Sequence, residues 1–164
     1  MKKLVIALTV AVLAGIGAWF AWTPAPAAPA VAFTTIAGER VSLADLRGKV
    51  VLVKFWATSC TTCVKQMPDT IAYYERYHDQ GYETVAVAMD YDPPNYVLNF
   101  AQTRKLPFKV ALDSKGELAR AFGDVRLTPT AFLIDRQGRI VKRYLGEYDK
   151  AAFQAAVESA LAAS

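Results

Sequence analysis

The chain has 164 residues, of which 54% are hydrophobic, 21% are charged and 12% are aromatic. This length fits one domain, the apolar fraction excludes an intrinsically disordered chain, and two cysteines exclude a disulfide-dense scaffold. The formal net charge is +4, but Lys2 and Lys3 supply part of it and no long Lys/Arg run follows, so nucleic-acid binding has little support.

The N-terminal segment has the pattern of a membrane-targeting sequence. The two lysines are followed by an apolar run over residues 4–22, which as a helix would be about 28 Å long, close to the hydrocarbon thickness of a bilayer. We predict a membrane anchor at residues 1–22, with a cleaved signal sequence as the alternative, because small-residue cleavage patterns follow. Residues 23–30, rich in Ala and Pro, are predicted to form a semi-rigid spacer. Both alternatives place residues 31–164 outside the cytoplasm.

Strand and helix patterns alternate along the predicted domain, residues 31–164. Strand patterns lie at residues 31–35, 50–56, 84–89, 110–113, 130–135 and 139–145. Helix patterns lie at residues 60–82, over about ten residues from Pro93, at residues 117–122, and in the segment that carries Phe153, Val157 and Leu161. The run at 50–56 is apolar almost throughout, which is typical of a central strand covered on both faces. This order predicts an α/β sandwich with a mixed sheet.

Two details of the helices can also be predicted. An apolar stripe with spacings of three and four residues marks the expected buried face of the first long helix. The stripe consists of Val64, Met67, Ile71, Tyr74 and His78. Asn95 follows two prolines and is a candidate N-cap of the second helix, because its side-chain oxygen can accept a hydrogen bond from the first turn.

Cys60 and Cys63 form a C-x-x-C motif at the junction between the strand at 50–56 and the helix that follows it. The N-terminal end of a helix supplies free N–H groups and a partial positive charge, and both stabilise a thiolate at Cys60. We predict a redox cycle in which Cys60 forms a mixed disulfide with a partner and Cys63 resolves it. This cycle requires neither an organic cofactor nor a metal.

Other roles for the two cysteines have less support in the sequence than a redox role. A zinc site would need a second pair of ligands with suitable spacing, and the sequence has no other cysteine and a single histidine. A purely structural disulfide would close a very small loop and remove little chain entropy. Binding of Cu(I) by the two thiolates, with Met67 as a nearby thioether, stays open as an alternative.

The residues around the motif resemble the active site of the thioredoxin superfamily. The resemblance rests on residues 55–63 with Pro68, and on Thr128-Pro129-Thr130 directly before a strand. The additional segment from about residue 90 to residue 124, the turn at 135–140 and the N-terminal anchor resemble the TlpA/ResA-like branch, which consists of membrane-tethered thiol–disulfide oxidoreductases of the bacterial envelope. The resemblance implies a thioredoxin-like three-layer sandwich facing the periplasm from the inner membrane.

The resemblance also implies roles for particular residues. Pro129 is expected in a cis peptide bond facing the cysteines, and Thr128 would offer its backbone to an extended partner segment. The expected activity is reduction of disulfides in partner proteins, such as apocytochromes in cytochrome c biogenesis or copper-delivery proteins. Alternatives are a copper-binding module, although copper-delivery relatives have three residues between the cysteines, and a thiol peroxidase, although Ala57 replaces the threonine of the peroxiredoxin motif.

Three features depart from the family pattern: the residue before Cys60, the pair Thr61-Thr62 between the cysteines, and the positions of two carboxylates. Ser59 stands where the family usually has tryptophan, and no histidine lies between the cysteines, which makes extreme thiolate stabilisation less expected. Lys54 and Gln66 stand where relatives have carboxylates that accept protons near the inner cysteine. Lys54 is therefore a candidate proton shuttle whose pKa falls on burial; the alternative is a lysine that extends to a sheet edge without a chemical role.

Overall fold

The computed structural model describes residues 25–163, which form a five-stranded sheet with helices on both faces and a small separate hairpin. The strands are β1 (Ala32–Thr34), β2 (Arg40–Ser42), β3 (Val50–Trp56), β4 (Tyr82–Ala88), β5 (Lys109–Leu112), β6 (Thr130–Ile134) and β7 (Ile140–Leu145). The helices are α1 (Thr61–Tyr77), α2 (Pro94–Thr103), α3 (Glu117–Ala121) and α4 (Lys150–Ala162), with a 3-10 turn at His78–Gln80.

The sheet is mixed, as predicted, and β3 lies at its centre. The strand order is β5-β4-β3-β6-β7, with β3, β4 and β5 parallel and β6 and β7 antiparallel to their neighbours. Every residue of β3 and of β4 is buried, because helices cover both faces of these strands. The result is a thioredoxin-like α/β fold.

Alternate residues of β3 build the core on opposite faces of the sheet. Val53 and Phe55 pack with Phe122, beside α3, and with Phe132 of β6. Leu52 lies on the other face, in a cluster that contains residues of α1 and α4 such as Tyr73, Phe153 and Val157. This alternation follows from the period of two in a strand and gives the three layers that the family resemblance implies.

The buried face of α1 differs from the predicted stripe. Of the five stripe residues only Met67 is buried, whereas the buried set comprises Cys63, Gln66, Met67, Thr70, Tyr73 and Tyr77. The physical reason lies under the helix, where the buried Lys54 requires polar partners that the apolar stripe does not contain. The helix also ends earlier than predicted, at Tyr77, and Gly81 with a φ of 90° lets the chain turn into β4.

The start of α2 also differs in detail. Pro93 is the N-cap and Pro94 the first helical residue, so Asn95 lies inside the helix and is not the cap. A proline at the first position suits a helix start, because its φ is already helical and its missing N–H would have had no partner within the helix.

The predicted anchor, residues 1–22, lies outside the described residues. Within residues 25–163 there is no helix with the length and apolarity needed to cross a bilayer. Part of the predicted spacer is docked on the domain: the Ala28 N–H donates to the Gly138 carbonyl (2.9 Å) and the Ile140 N–H to the Pro26 carbonyl (2.7 Å). Residues 26–28 of the predicted spacer are therefore hydrogen-bonded to the domain.

Candidate active site

The two cysteines lie at the N-terminal end of α1 and form a disulfide, with their Cα atoms 5.2 Å apart. Cys60 is the N-cap residue, and its Sγ accepts a hydrogen bond from the Cys63 N–H at 3.1 Å. Cys60 is half-buried, whereas Cys63 is fully buried in the cluster with Trp56 and Met67. The sulfur that a partner can reach is therefore that of Cys60, which also sits where the helix donates N–H groups.

The loop before β6 faces the same edge of the sheet as the cysteines. Thr130 of β6 is paired with Phe55 of β3, and the strands are antiparallel, so Pro129 lies where β3 ends and the cysteine loop begins. The Thr128–Pro129 peptide bond is cis, as expected from the resemblance. The Pro129 carbonyl accepts from the Gly146 N–H at 2.8 Å. Within residues 25–163 the main-chain groups of Thr128 have no hydrogen-bond partner.

Lys54 is fully buried in the middle of β3, so it does not extend to a sheet edge, which was the alternative to a role in proton transfer. Its Nζ donates to Gln66 Oε1 at 3.1 Å and to Thr70 Oγ1 at 3.0 Å, both on α1. Its neighbours across the sheet are Ala86 and Ala131, whose small side chains leave space for it. Burial lowers the pKa of Lys54 from its usual 10.5 to about 8, and the charge of nearby Asp69 opposes this shift.

The Lys54 network continues to the proline loop. The Gln66 side-chain amide donates to the Gly146 carbonyl at 3.3 Å, and the Gly146 N–H in turn donates to Pro129. Gln66 is one helical turn from Cys63. Its side chain therefore connects α1 directly to Lys54, and through Gly146 to the proline loop. Gln66 also lines a cleft of about 130 Å³ that Tyr148 and several charged residues border. The charged residues are Lys65, Asp69, Glu147 and Lys150.

Two residues near the cysteines were missed by the sequence analysis. Asp92 is buried and accepts hydrogen bonds from both the N–H and the hydroxyl of Thr58, each at 2.6 Å. The Tyr91 hydroxyl is hydrogen-bonded to Thr128 Oγ1 at 3.1 Å. A signal was available in part, because β3 and β4 are parallel and the loops after them must meet at one edge. The pairing of individual side chains between these loops could not be read from the sequence.

Known proteins resemble this chain over most of its length. The Redoxin family model matches residues 23–161. Thiol-disulfide oxidoreductase ResA of Bacillus thuringiensis subsp. konkukian is 37% identical over 123 residues, which cover 75% of this chain and 70% of ResA. Sporulation thiol-disulfide oxidoreductase A of Bacillus subtilis is 33% identical over 142 residues, which cover 82% of this chain and 85% of the relative.

Solved structures show the same relationship. A thiol:disulfide interchange protein of the thioredoxin family from Chlorobium tepidum TLS has a TM-score of 0.77 and 30% identity, with 85% of this chain and 98% of that chain covered. StoA from Bacillus subtilis has a TM-score of 0.67 and 29% identity, with 79% and 98% covered. The chain thus belongs to the Redoxin family, in the TlpA/ResA-like branch of the thioredoxin superfamily, and is a thiol–disulfide oxidoreductase.

Proposed function

We propose that this oxidoreductase reduces disulfide bonds in partner proteins, with Cys60 as the nucleophile and Cys63 as the resolving cysteine. The observation that carries the proposal is the pairing of an accessible sulfur at a helix N-terminus with a buried sulfur one turn further on. The reductive direction is supported by the similarity to ResA and by the absence of an imidazole at positions 61 and 62 between the cysteines, since such a group would strongly stabilise a thiolate.

The proposed cycle transfers two electrons from the cysteine pair to the partner. The Cys60 thiolate attacks one sulfur of the partner disulfide, a mixed disulfide forms, and the other partner sulfur leaves as a thiolate that takes up a proton. Cys63 then loses its proton and attacks Cys60 Sγ, which forms the Cys60–Cys63 disulfide and releases the second partner sulfur. Another dithiol protein must then reduce the pair, because the cycle leaves it oxidised.

Thr128 and Pro129 are proposed to bind the partner segment that carries the reactive disulfide. Pro129 has no N–H and its carbonyl is already bonded to Gly146, whereas the main-chain groups of Thr128 are unpaired within the part of the chain described here. An extended segment can pair with those groups as an added strand, which would bring its sulfur to the edge where Cys60 lies.

Lys54 is proposed to take up and release the proton of Cys63. A pKa of about 8 lets the amine exchange protons near neutral pH, which an ordinary lysine cannot do. Lys54 does not hydrogen-bond either cysteine within residues 25–163, so a water molecule beside Gln66 would have to complete the path. The cleft that Gln66 lines would supply this water from solvent.

The proposed location is the inner membrane, with residues 1–22 as a single anchor and the domain in the periplasm; a cleaved, soluble periplasmic form is the alternative. The support is the basic pair followed by the apolar run at residues 4–22. Proposed partners are proteins of cytochrome c maturation or copper delivery, whose cysteines must be reduced before they bind haem or metal.

Substrate reduction and trapping test the proposal. With dithiothreitol as electron source, the purified protein should reduce a protein disulfide such as that of insulin, and Cys60→Ser should abolish this reaction. Cys63→Ser should accumulate a mixed disulfide through Cys60, visible as a mass increase that a reductant removes. Loss of trapping in Cys63→Ser, or reduction that survives in Cys60→Ser, would contradict the assigned roles.

A further inference from the structure

The loop between β4 and α2 contacts two other loops of the site through neighbouring residues. Asp92 hydrogen-bonds Thr58, two residues before Cys60, and Tyr91 hydrogen-bonds Thr128, directly before Pro129. The cysteine loop follows β3 and the proline loop precedes β6, and the hydrogen-bonded pairing of these two strands ends at Phe55 and Thr130, before either loop begins. Tyr91 and Asp92, here called the loop clip, connect both.

The two hydrogen bonds from Thr58 to Asp92, here called the Asp92 arm of the loop clip, hold the turn that leads to Cys60. Residues 57–60 form a turn closed by the hydrogen bond from the Cys60 N–H to the Ala57 carbonyl at 3.2 Å. Thr58 lies inside this turn, and both of its donors bond to one carboxylate that is only 4% exposed. Ser59, the next residue, is exposed and does not anchor the turn by packing. Asp92 therefore holds the turn that directly precedes Cys60.

The hydrogen bond between Tyr91 and Thr128, here called the Tyr91 arm, lies at the loop proposed to bind the partner segment. Tyr91 is 54% exposed, and Leu127, the residue before Thr128, is 64% exposed, so both present apolar surface beside Thr128. The Tyr91 hydroxyl holds the Thr128 side chain at 3.1 Å, while the main-chain groups of Thr128 stay available. A bound segment would thus pair with a residue whose side chain is already fixed.

We propose that Tyr91 and Asp92 are positioning residues that set the place of Cys60 relative to the partner-binding Thr128–Pro129 loop. This inference rests on the proposed function. The two arms act on different quantities: the Asp92 arm sets the reactivity of the Cys60 thiolate, and the Tyr91 arm sets the affinity for a protein substrate.

Matched substitutions separate the two arms. Thr58→Val removes the hydroxyl and keeps the shape, whereas Thr58→Ser keeps the hydroxyl. Loss of one hydrogen bond corresponds to about a two- to tenfold change in a rate or binding constant. In the full chain, Thr58→Val should change the Cys60 alkylation rate by about this factor, displace its pH profile and shift the reduction potential. Thr58→Ser should behave as wild type.

For the second arm, Tyr91→Phe should raise KM for insulin by about two- to tenfold and leave kcat and the reduction of a small aromatic disulfide unchanged. Tyr96→Phe is the control, because Tyr96 is equally exposed at the start of α2 and its hydroxyl has no hydrogen-bond partner within residues 25–163.

If Thr58→Val does not fold, Asp92→Asn takes its place, and a wild-type pH profile together with a wild-type potential overturns the Asp92 arm.

The outcomes also separate this inference from the proposed function. Wild-type values for Thr58→Val and Tyr91→Phe, in a protein that reduces insulin through Cys60, overturn the loop clip and leave the proposed function intact. If the wild type reduces no protein disulfide, the proposed function fails and with it the Tyr91 arm. Alkylation and potential measurements on the Thr58 variants still decide the Asp92 arm in that case.

Discussion

Replacement of Lys54 by methionine tests an unusual feature of the core, a buried lysine that forms no ion pair with a carboxylate among residues 25–163. Methionine has a similar length and no charge, so it occupies the same space between Ala86 and Ala131. The folded protein lowers the pKa of Lys54 from 10.5 to about 8 because burial disfavours the ammonium. The variant removes that ionisation without removing the strand.

The magnitude follows from the pKa shift. Each pKa unit corresponds to about 1.4 kcal/mol, so the charged lysine costs the folded state about 3 kcal/mol at neutral pH. The folded pKa lies below the unfolded value, so the unfolded chain binds more protons between pH 8 and 10.5. The penalty is thus complete below about pH 8 and disappears as the pH rises toward 10.5. Between pH 7 and pH 9.5 it should fall by about 2 kcal/mol.

Urea denaturation of the oxidised protein at both pH values measures this change. From pH 7 to pH 9.5, the free energy of unfolding of wild type should rise relative to Lys54→Met by about 2 kcal/mol. The lost hydrogen bonds to Gln66 and Thr70 affect both pH values similarly and therefore cancel. Lys65→Met is the control, since it makes the same replacement on α1 at a side chain that is 73% exposed.

Parallel behaviour of wild type and Lys54→Met across this pH range would refute the reasoning. It would mean that Lys54 has the same pKa in the folded and the unfolded protein. A proton shuttle based on a depressed lysine pKa would then have no physical basis.

The remaining predictions concern the core and the N-terminal contact. Phe153→Ala should lower the free energy of unfolding in urea by about 3–5 kcal/mol, because this ring is fully buried against Tyr73, Tyr144 and Tyr148. A loss below about 1 kcal/mol would contradict that packing. A fragment of residues 31–164 should be about 1–3 kcal/mol less stable than one of residues 25–164, since two hydrogen bonds to the domain are lost. Equal stabilities would show that the docked segment contributes nothing.

The sequence predicts the parts of this molecule that depend on local pattern. The apolar run of β3 matches the predicted strand at 50–56, because a strand buried on both faces has little choice of residue. The position of Cys60 at the start of α1 follows from the motif and the strand before it. The Thr128–Pro129 loop could be recognised through the family resemblance, since a single proline before a strand is not specific by itself.

The features that were missed depend on contacts between distant segments. The rotation of α1 follows from Lys54, whose need for Gln66 and Thr70 outweighs the apolar stripe. Asp92 becomes important only because the loops after β3 and β4 meet. The residues around Ala28 have the composition of a spacer, and their docking depends on an edge near Gly138 that only the folded domain provides.

The reduction potential of the Cys60–Cys63 pair tests the proposed reductase direction most directly. A fragment of residues 25–164, which keeps the docked segment, can be equilibrated with glutathione or dithiothreitol and its thiols quantified. The account predicts a value near about −250 mV or below, in the range of thioredoxin-like reductants. A value near about −120 to −150 mV would place the protein with disulfide donors and contradict the proposed direction.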